Sequence, residues 1–357
     1  MDNVYAVIMA GGRGERFWPL STEERPKPYL CLFGEKTLFQ ATMERITSFI
    51  PKERIFPVLS RQHLALAWEQ VPALPKKNYI IEPEGRDTAA CIGLASLYLE
   101  RLDPEAIIVV LPADHYISNN EEFISTLKQG IEFLKNRDCV VIIGIKPIRP
   151  ETNYGYLEID KELSPGIFEV VKFLEKPTLR EAKEFFKGRY WWNNGIFIWR
   201  NSFVQSLICR FMPELWRALL HIRESIGKQD EEAVLKMEFA KLQKVSIDYG
   251  VLEKAEERVA VLAKFYWDDV GNWTALSRIK KAEAQGNVSI GEHKAIDTQN
   301  CIVYANDAPI TTLGVSDLVI VSANNNVFVC SKKRASEIKK LLNTFRLTER
   351  LRLTLKF

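Results

Sequence analysis

The sequence predicts an α/β protein whose sheet is mostly parallel, followed by a small β-rich appendage. Two observations carry this. Up to Pro150, short continuous apolar runs alternate with amphipathic helical patterns, the signature of β-α-β crossovers in a sheet covered on both faces. After about Gln285 the helical patterns nearly stop, and brief β-prone pieces separated by Asn, Asp and Gly take over. A chain of 357 residues, 46% hydrophobic and 27% charged, has core enough for one large unit with an appendage, and its composition excludes a mostly disordered, collagen-like or coiled-coil protein.

The apolar runs Val4 to Ala10, Ile55 to Leu59, Ile107 to Leu111 and Cys139 to Ile145 are bounded by turn residues and read as buried strands. Between them, Thr37 to Gln40 has capping-box spacing and opens an apolar stripe of Phe39, Met43, Ile46 and Ile50, while Thr88 to Leu102 and Glu121 to Leu134 carry comparable faces. From Pro150 the pattern changes. Tyr154 to Asp160, Ile167 to Leu174 and the aromatic-rich Tyr190 to Arg200 read as exposed or hairpin strands of an insertion. Helical stretches near Ser202 to Ile222 and Asp230 to Leu242 precede a further strand at Arg258 to Ala263. In the appendage, Ile296, Cys301 to Tyr304, Ile310 to Leu313, Leu318 to Val321 and Val327 to Cys330 are the strand-like pieces, and a charged helix is expected from about Ala335. The expected division is 1–283 and 284–357.

A net charge of +3 is too small to suggest a nucleic-acid coat or a membrane-surface stripe, although a local basic cluster can still grip a phosphorylated small molecule. The six cysteines are dispersed, with no CxxC pair and no nearby histidine to complete a zinc site. Val4 to Ala10 follows Asp2 without a basic region and ends in glycines, unlike a secretory signal, and no segment has the apolar length of a membrane span. A reducing, cytoplasmic setting is the expectation.

Three elements carry chemistry. The first strand runs into Gly11-Gly12-Arg13-Gly14-Glu15-Arg16, where glycines permit positive φ and let backbone N–H groups approach a phosphate while arginines add charge. It is no dinucleotide-binding loop, because the third glycine of that fingerprint would fall at Phe17, and the GxxxxGK[ST] phosphate loop is absent. Lys27, between Pro26 and Pro28, is expected on an extended, stiff backbone; the competing reading is a solvated loop lysine. In Leu111-Pro112-Ala113-Asp114-His115 an apolar strand ends in a carboxylate at the edge where such sheets bind ligands. Magnesium takes one or two carboxylates together with phosphates and water, and Trp267-Asp268-Asp269-Val270-Gly271 offers a second acid. A turn or cap role for Asp114 is the alternative.

Nine segments in one order, GGRGERFWPLS, RPKPYL, EPEGRDTAA, LPADH, PETNYGY, FLEKP, WNNGIF, SIDYGVLEK and WDDVGNW, resemble those of the mannose-1-phosphate guanylyltransferases. The resemblance runs from residue 5 to about 273 and more loosely to about 340. It implies a Rossmann-like nucleotidyltransferase fold with a mixed, mostly parallel sheet and a short C-terminal left-handed β-helix. It assigns Gly11, Gly12, Gly14, Gly85 and Asp87 to the nucleotide, Arg16 and Lys27 to its phosphates, Asp114 and Asp269 to Mg2+, and Gly155, Glu175, Lys176 and Asn193 to the sugar phosphate. For Asp87 a helix-cap role stands beside acceptance of guanine N–H donors; for the sugar-half residues, turn and surface ion-pair roles stand beside binding. Three segments depart from the family pattern: Pro28 stands where it has glutamine, Asp87 and Ala90 where GRNTAP has asparagine and proline, and Asn153 where a glycine precedes the tyrosine. The implied reaction is transfer of GMP from GTP to mannose 1-phosphate, with another sugar 1-phosphate nucleotidyltransferase or a non-catalytic sugar-nucleotide-binding homologue as alternatives. Retention of Arg16, Lys27 and both aspartates argues against the last. With one histidine, His293, in its tail, the chain is expected to lack a second, metal-dependent isomerase site. The apolar strands of the tail serve either a homodimer contact or packing onto the catalytic domain.

Overall fold

The structure is a computed structural model that describes residues 3–12 and 14–345. Arg13 and the last part of the expected terminal helix lie outside the described residues.

The chain divides into two compact units that interleave along the sequence. One comprises Met1–Gly11, Thr42–Ala113 and Ile117–Trp267, the other Gly12–Ala41, Asp114–Tyr116 and Asp268–Phe357. The first is built on a nine-stranded sheet: β1 (Val4–Met9), β2 (Ile55–Ser60), β3 (Ile80–Glu82), β4 (Ile107–Pro112), β5 (Val140–Ile145), β6 (Gly155–Ser164), β7 (Ile167–Leu174), β8 (Tyr190–Arg200) and β9 (Arg258–Leu262). Their order is β3-β2-β1-β4-β8-β5-β9-β7-β6. β1, β2, β3 and β4 pair in parallel, as do β5 and β9, whereas β7 and β8 run against their neighbours. The three strands after Pro150 are therefore members of the main sheet rather than an insertion beside it. β8 lies between β4 and β5, in register Val109↔Ile198 and Ile142↔Phe197, because Ile196 to Trp199 are apolar on successive positions and buried on both faces.

Helices α1 (Leu38–Thr47), α2 (Leu64–Gln70), α3 (Asp87–Leu102), α4 (Asn120–Phe133), α5 (Leu179–Lys187), α6 (Asn201–Phe211), α7 (Pro213–Ser225) and α8 (Glu231–Lys241) follow from their apolar stripes. The capping box before α1 is complete. The Gln40 amide donates to Thr37 Oγ1 at 3.1 Å and the Thr37 amide to Gln40 Oε1 at 3.0 Å, so two otherwise orphaned donors are satisfied. The stretch from Ser202 to Ile222 is broken in two at Pro213, which opens α7, since proline suits a first helical turn but not an interior one.

In the second unit, β10 (Val288–Ile290), β12 (Ile302–Ala305) and β14 (Leu318–Ala323) stack in parallel, with β15 (Asn326–Ser331) antiparallel on β14, while β11 (His293–Ile296) pairs in parallel with β13 (Ile310–Leu313). The corners are made by Asp297, Asn300, Asp317, Asn324 and Asn325, all at positive φ, a conformation that Asn and Asp tolerate better than other side chains. Gly291 is required at its corner, as its φ is +82° and a Cβ would lie 1.9 Å from the Ala305 carbonyl oxygen. Phe17, Leu30, Leu32 and Leu38 from the early segment share one core with Trp273, Val288, Ile302, Tyr304, Val319 and Phe328.

Candidate functional site

The candidate residues fall into two groups, each described within its own unit. In the second unit, the glycine-rich loop holds Gly14 at a φ of +61°. A Cβ on Gly14 would sit 2.1 Å from the Cβ of Lys27. Only glycine meets both demands, so the loop and the lysine form one packed unit. Lys27 opens a single 3₁₀ turn, Lys27–Tyr29, rather than holding the extended backbone that flanking prolines suggest. Its side chain is only 9% exposed, which excludes a solvated loop lysine. Its Nζ lies 2.8 Å from Asp114 Oδ2 and donates to the Asp269 carbonyl oxygen at 2.6 Å. Burial pushes the Asp114 carboxyl up, but Lys27, His115 and the hydrogen bond from Lys27 outweigh it and hold the group below the usual carboxylate range. Arg16 is exposed and pairs with no acid among the described residues.

The two aspartates of WDDVG have separate environments. Asp268, 1% exposed, is gripped by Arg278 through Nε at 2.5 Å and Nη2 at 2.7 Å and accepts the Val270 amide. Asp269 brings its carbonyl to Lys27. Two aspartates meeting one lysine, one of them with its carboxylate held ionised, bring the hard oxygen donors that magnesium uses beside phosphate and water. The donor chemistry fits that ion, although no cluster of three His, Cys, Asp or Glu is present among the described residues.

In the first unit, Gly11 follows β1 and Gly85 and Asp87 lie between β3 and the start of α3; all three are exposed. Asp87 has φ +70° and its Oδ1 accepts the Thr88 amide at 2.7 Å. Beside them is Glu82, the last residue of β3, buried at 6% exposure, with Oε1 unpartnered and Oε2 3.4 Å from where a Cβ on Gly11 would stand. Burial, and secondarily the charge of Asp87, push its carboxyl up to about 8.

The remaining candidates cluster around the end of β7. Gly155 and Asn193 are register partners on β6 and β8. A Cβ on Gly155 would lie 2.4 Å from Glu175 Oε2, so the glycine makes room for that carboxyl. Glu175 Oε1 is 2.7 Å from Lys176 Nζ, and the Glu175 amide donates to Glu253 Oε1 at 3.0 Å. Asn193 donates through Nδ2 to Asp248 Oδ1 at 2.8 Å and accepts the Gly195 amide on its own Oδ1 at 2.9 Å.

Comparison with known proteins agrees in both sequence and fold. The family model for nucleotidyl transferases matches residues 5–286, and one for a mannose phosphate isomerase/GMP-like β-helix domain matches 291–345. A mannose-1-phosphate guanylyltransferase of Escherichia coli K12 is 34% identical over 96% of this chain and 73% of its own length; one from Salmonella montevideo is 33% identical over 96% and 74%. The chain belongs to the mannose-1-phosphate guanylyltransferases. A solved structure from Thermus thermophilus, named a mannose-1-phosphate geranyltransferase, has 38% identity and a TM-score of 0.87 over 96% of this chain and 99% of that one. As a guanylyltransferase family member the protein is a nucleotidyltransferase, with the mixed α/β sheet and C-terminal β-helix of that family. No helix among the described residues is long and apolar enough to cross a membrane.

Sequence reasoning missed Glu82, Asp248 and the Asp268–Arg278 pair of this guanylyltransferase relative. EPEG gives no sign that its first acid is buried. Asp248 opens a π-helical turn, Asp248–Leu252, a geometry with no sequence signature but one that recurs at functional sites.

Proposed function

We propose that the protein transfers GMP from GTP to mannose 1-phosphate, releasing pyrophosphate and forming GDP-mannose. The observation that carries this reading is the buried Lys27 ammonium, packed against Gly14 and held by Asp114 and Asp269. An oxygen of the sugar phosphate attacks the α-phosphorus in line, and the bond to the bridging oxygen of pyrophosphate breaks. Both reactants are anions, so the barrier is chiefly charge repulsion and orientation. Arg16 and Lys27 supply positive charge to the triphosphate, and the backbone of Gly11, Gly12 and Gly14 approaches it closely without a Cβ. A phosphate nucleophile is already ionised near neutral pH, so no general base is assigned. Asp114 and Asp269 would hold Mg2+, which supplies counter-charge to the phosphates and fixes their orientation when bound. Glu175, Lys176 and Asn193 line the sugar-phosphate half, and Glu82 and Asp87 are the acids available to guanine's paired N–H donors.

The test is pyrophosphate release by the purified protein, with each nucleoside triphosphate paired with mannose, glucose and other sugar 1-phosphates, in magnesium and in chelator. GTP with mannose 1-phosphate is expected to be turned over fastest and only with the metal. Faster turnover of another pair would reassign the substrates, and unchanged turnover in chelator would remove the metal.

A further inference from the structure

Around the end of β7 the structure brings together more acid than the assigned sugar residues account for. Glu175 pairs with Lys176, whose Nζ also lies 5.6 Å from the centre of the Tyr249 ring, while the Glu175 amide donates to Glu253 and Asp248 accepts from Asn193, with the charge of Glu175 acting on Asp248. With Lys176 already paired to Glu175, the Asp248 carboxyl has no cation of its own among the described residues and suits a ligand group that brings an O–H donor, because a carboxylate only accepts. Asn193 is already engaged at both ends of its amide. Its Oδ1 is committed to the Gly195 amide and its Nδ2 to Asp248, so its place is to orient Asp248.

Resting on the substrate reading above, we infer that Asp248 is a sugar-reading carboxylate, accepting a hydrogen bond from a ring hydroxyl of the pyranosyl phosphate, with Asn193 as its positioning residue. The π-helical turn that begins at Asp248 supports this by tying the carboxyl-bearing residue to backbone bonds further along the chain than an α-helix would. Burial and the neighbouring Glu175 push the Asp248 carboxyl up to about 7, and Glu175 is likewise raised, first by burial. Two acids that disfavour each other's charge in the unliganded protein are relieved by an O–H donor.

The experiment compares wild type with Asp248→Ala and Asp248→Leu on mannose 1-phosphate and its 2-, 3-, 4- and 6-deoxy analogues, by calorimetric binding and by kcat/KM with GTP. Removal of one particular hydroxyl is expected to cost wild type about 10- to 100-fold, as for a lost hydrogen bond to a charged group. That same analogue should cost Asp248→Ala less than about 3-fold, with KM for GTP little changed. A merely structural role would weaken all analogues alike. Asp248→Leu, close in volume but with no acceptor, gives the same comparison if the alanine variant does not fold. Wild-type discrimination retained by both variants overturns the role of Asp248 alone. Failure of the wild type to bind any pyranosyl 1-phosphate overturns the substrate reading, and this inference with it.

Discussion

The Glu82 carboxyl sits at the end of β3 with one oxygen unpartnered, and an ionised group there would be costly. Burial first and the charge of Asp87 second raise it to about 8, whereas in the unfolded chain it titrates in the usual carboxylate range. Between those two values the folded state keeps a proton that the unfolded state has lost. The stability from this group is thus fully present below the unfolded value and is lost as pH rises towards 8. Glutamine is neutral throughout, so Glu82→Gln should gain thermal stability relative to wild type on going from pH 5 to pH 8.5. Melting temperatures of both proteins at the two pH values decide it, and a constant difference would mean that Glu82 titrates normally. The sequence could not have given this residue, because its signal is depth and not spacing. The same limit applies to WDDVG, where two adjacent acids read alike on paper and only packing separates the Arg278 partner from the residue whose carbonyl meets Lys27.

At the level of elements, much was legible. Apolar runs became β1, β2, β4 and β5, and the Thr37 capping box formed as its spacing required, because these signals are local. Less legible was Lys27, where a 3₁₀ turn overrides the extended preference before proline. The reason lies across the loop. Gly14 leaves a space that the Lys27 Cβ occupies, and that contact is invisible to either segment alone. Gly14→Ala therefore combines a left-handed backbone cost of roughly 1–2 kcal/mol with a collision that the Lys27 backbone has to relieve. It should reproduce the loss caused by Lys27→Ala, about 100- to 1000-fold in kcat if the ammonium meets developing charge, while leaving the sugar phosphate KM nearly unchanged. Steady-state kinetics of both variants measure this. Wild-type kcat in Gly14→Ala would show that the loop and the lysine are not coupled.

On the scale of the molecule, the surprise is interleaving. A linear reading divides the chain near residue 283, but the early segment Gly12–Ala41 clusters with Asp268–Phe357, and no periodicity reports which distant segments share a core. Within that second unit the tail packs against the glycine-rich loop and the segment that follows it. Trp18 packs edge-on to Phe328 with ring centres 5.7 Å apart, the Tyr304 hydroxyl donates to the Cys31 carbonyl, and Asn324 donates to that of Pro19. The residues on either side of Lys27 are thus anchored to β-helix side chains, which gives the appendage a part in holding the loop. Phe328→Ala removes one buried ring of this packing at a cost of about 3–5 kcal/mol if the cavity stays open. The expected result is a lowered melting temperature and, in protein still folded at the assay temperature, a raised KM for GTP with reduced kcat. Calorimetric affinity for mannose 1-phosphate should be unaffected, since Gly155, Glu175, Lys176 and Asn193 all belong to the other unit. Equal weakening of both substrates would mean that the loss is global, and a melting change with no kinetic change would mean that the tail stabilises the fold without positioning the loop.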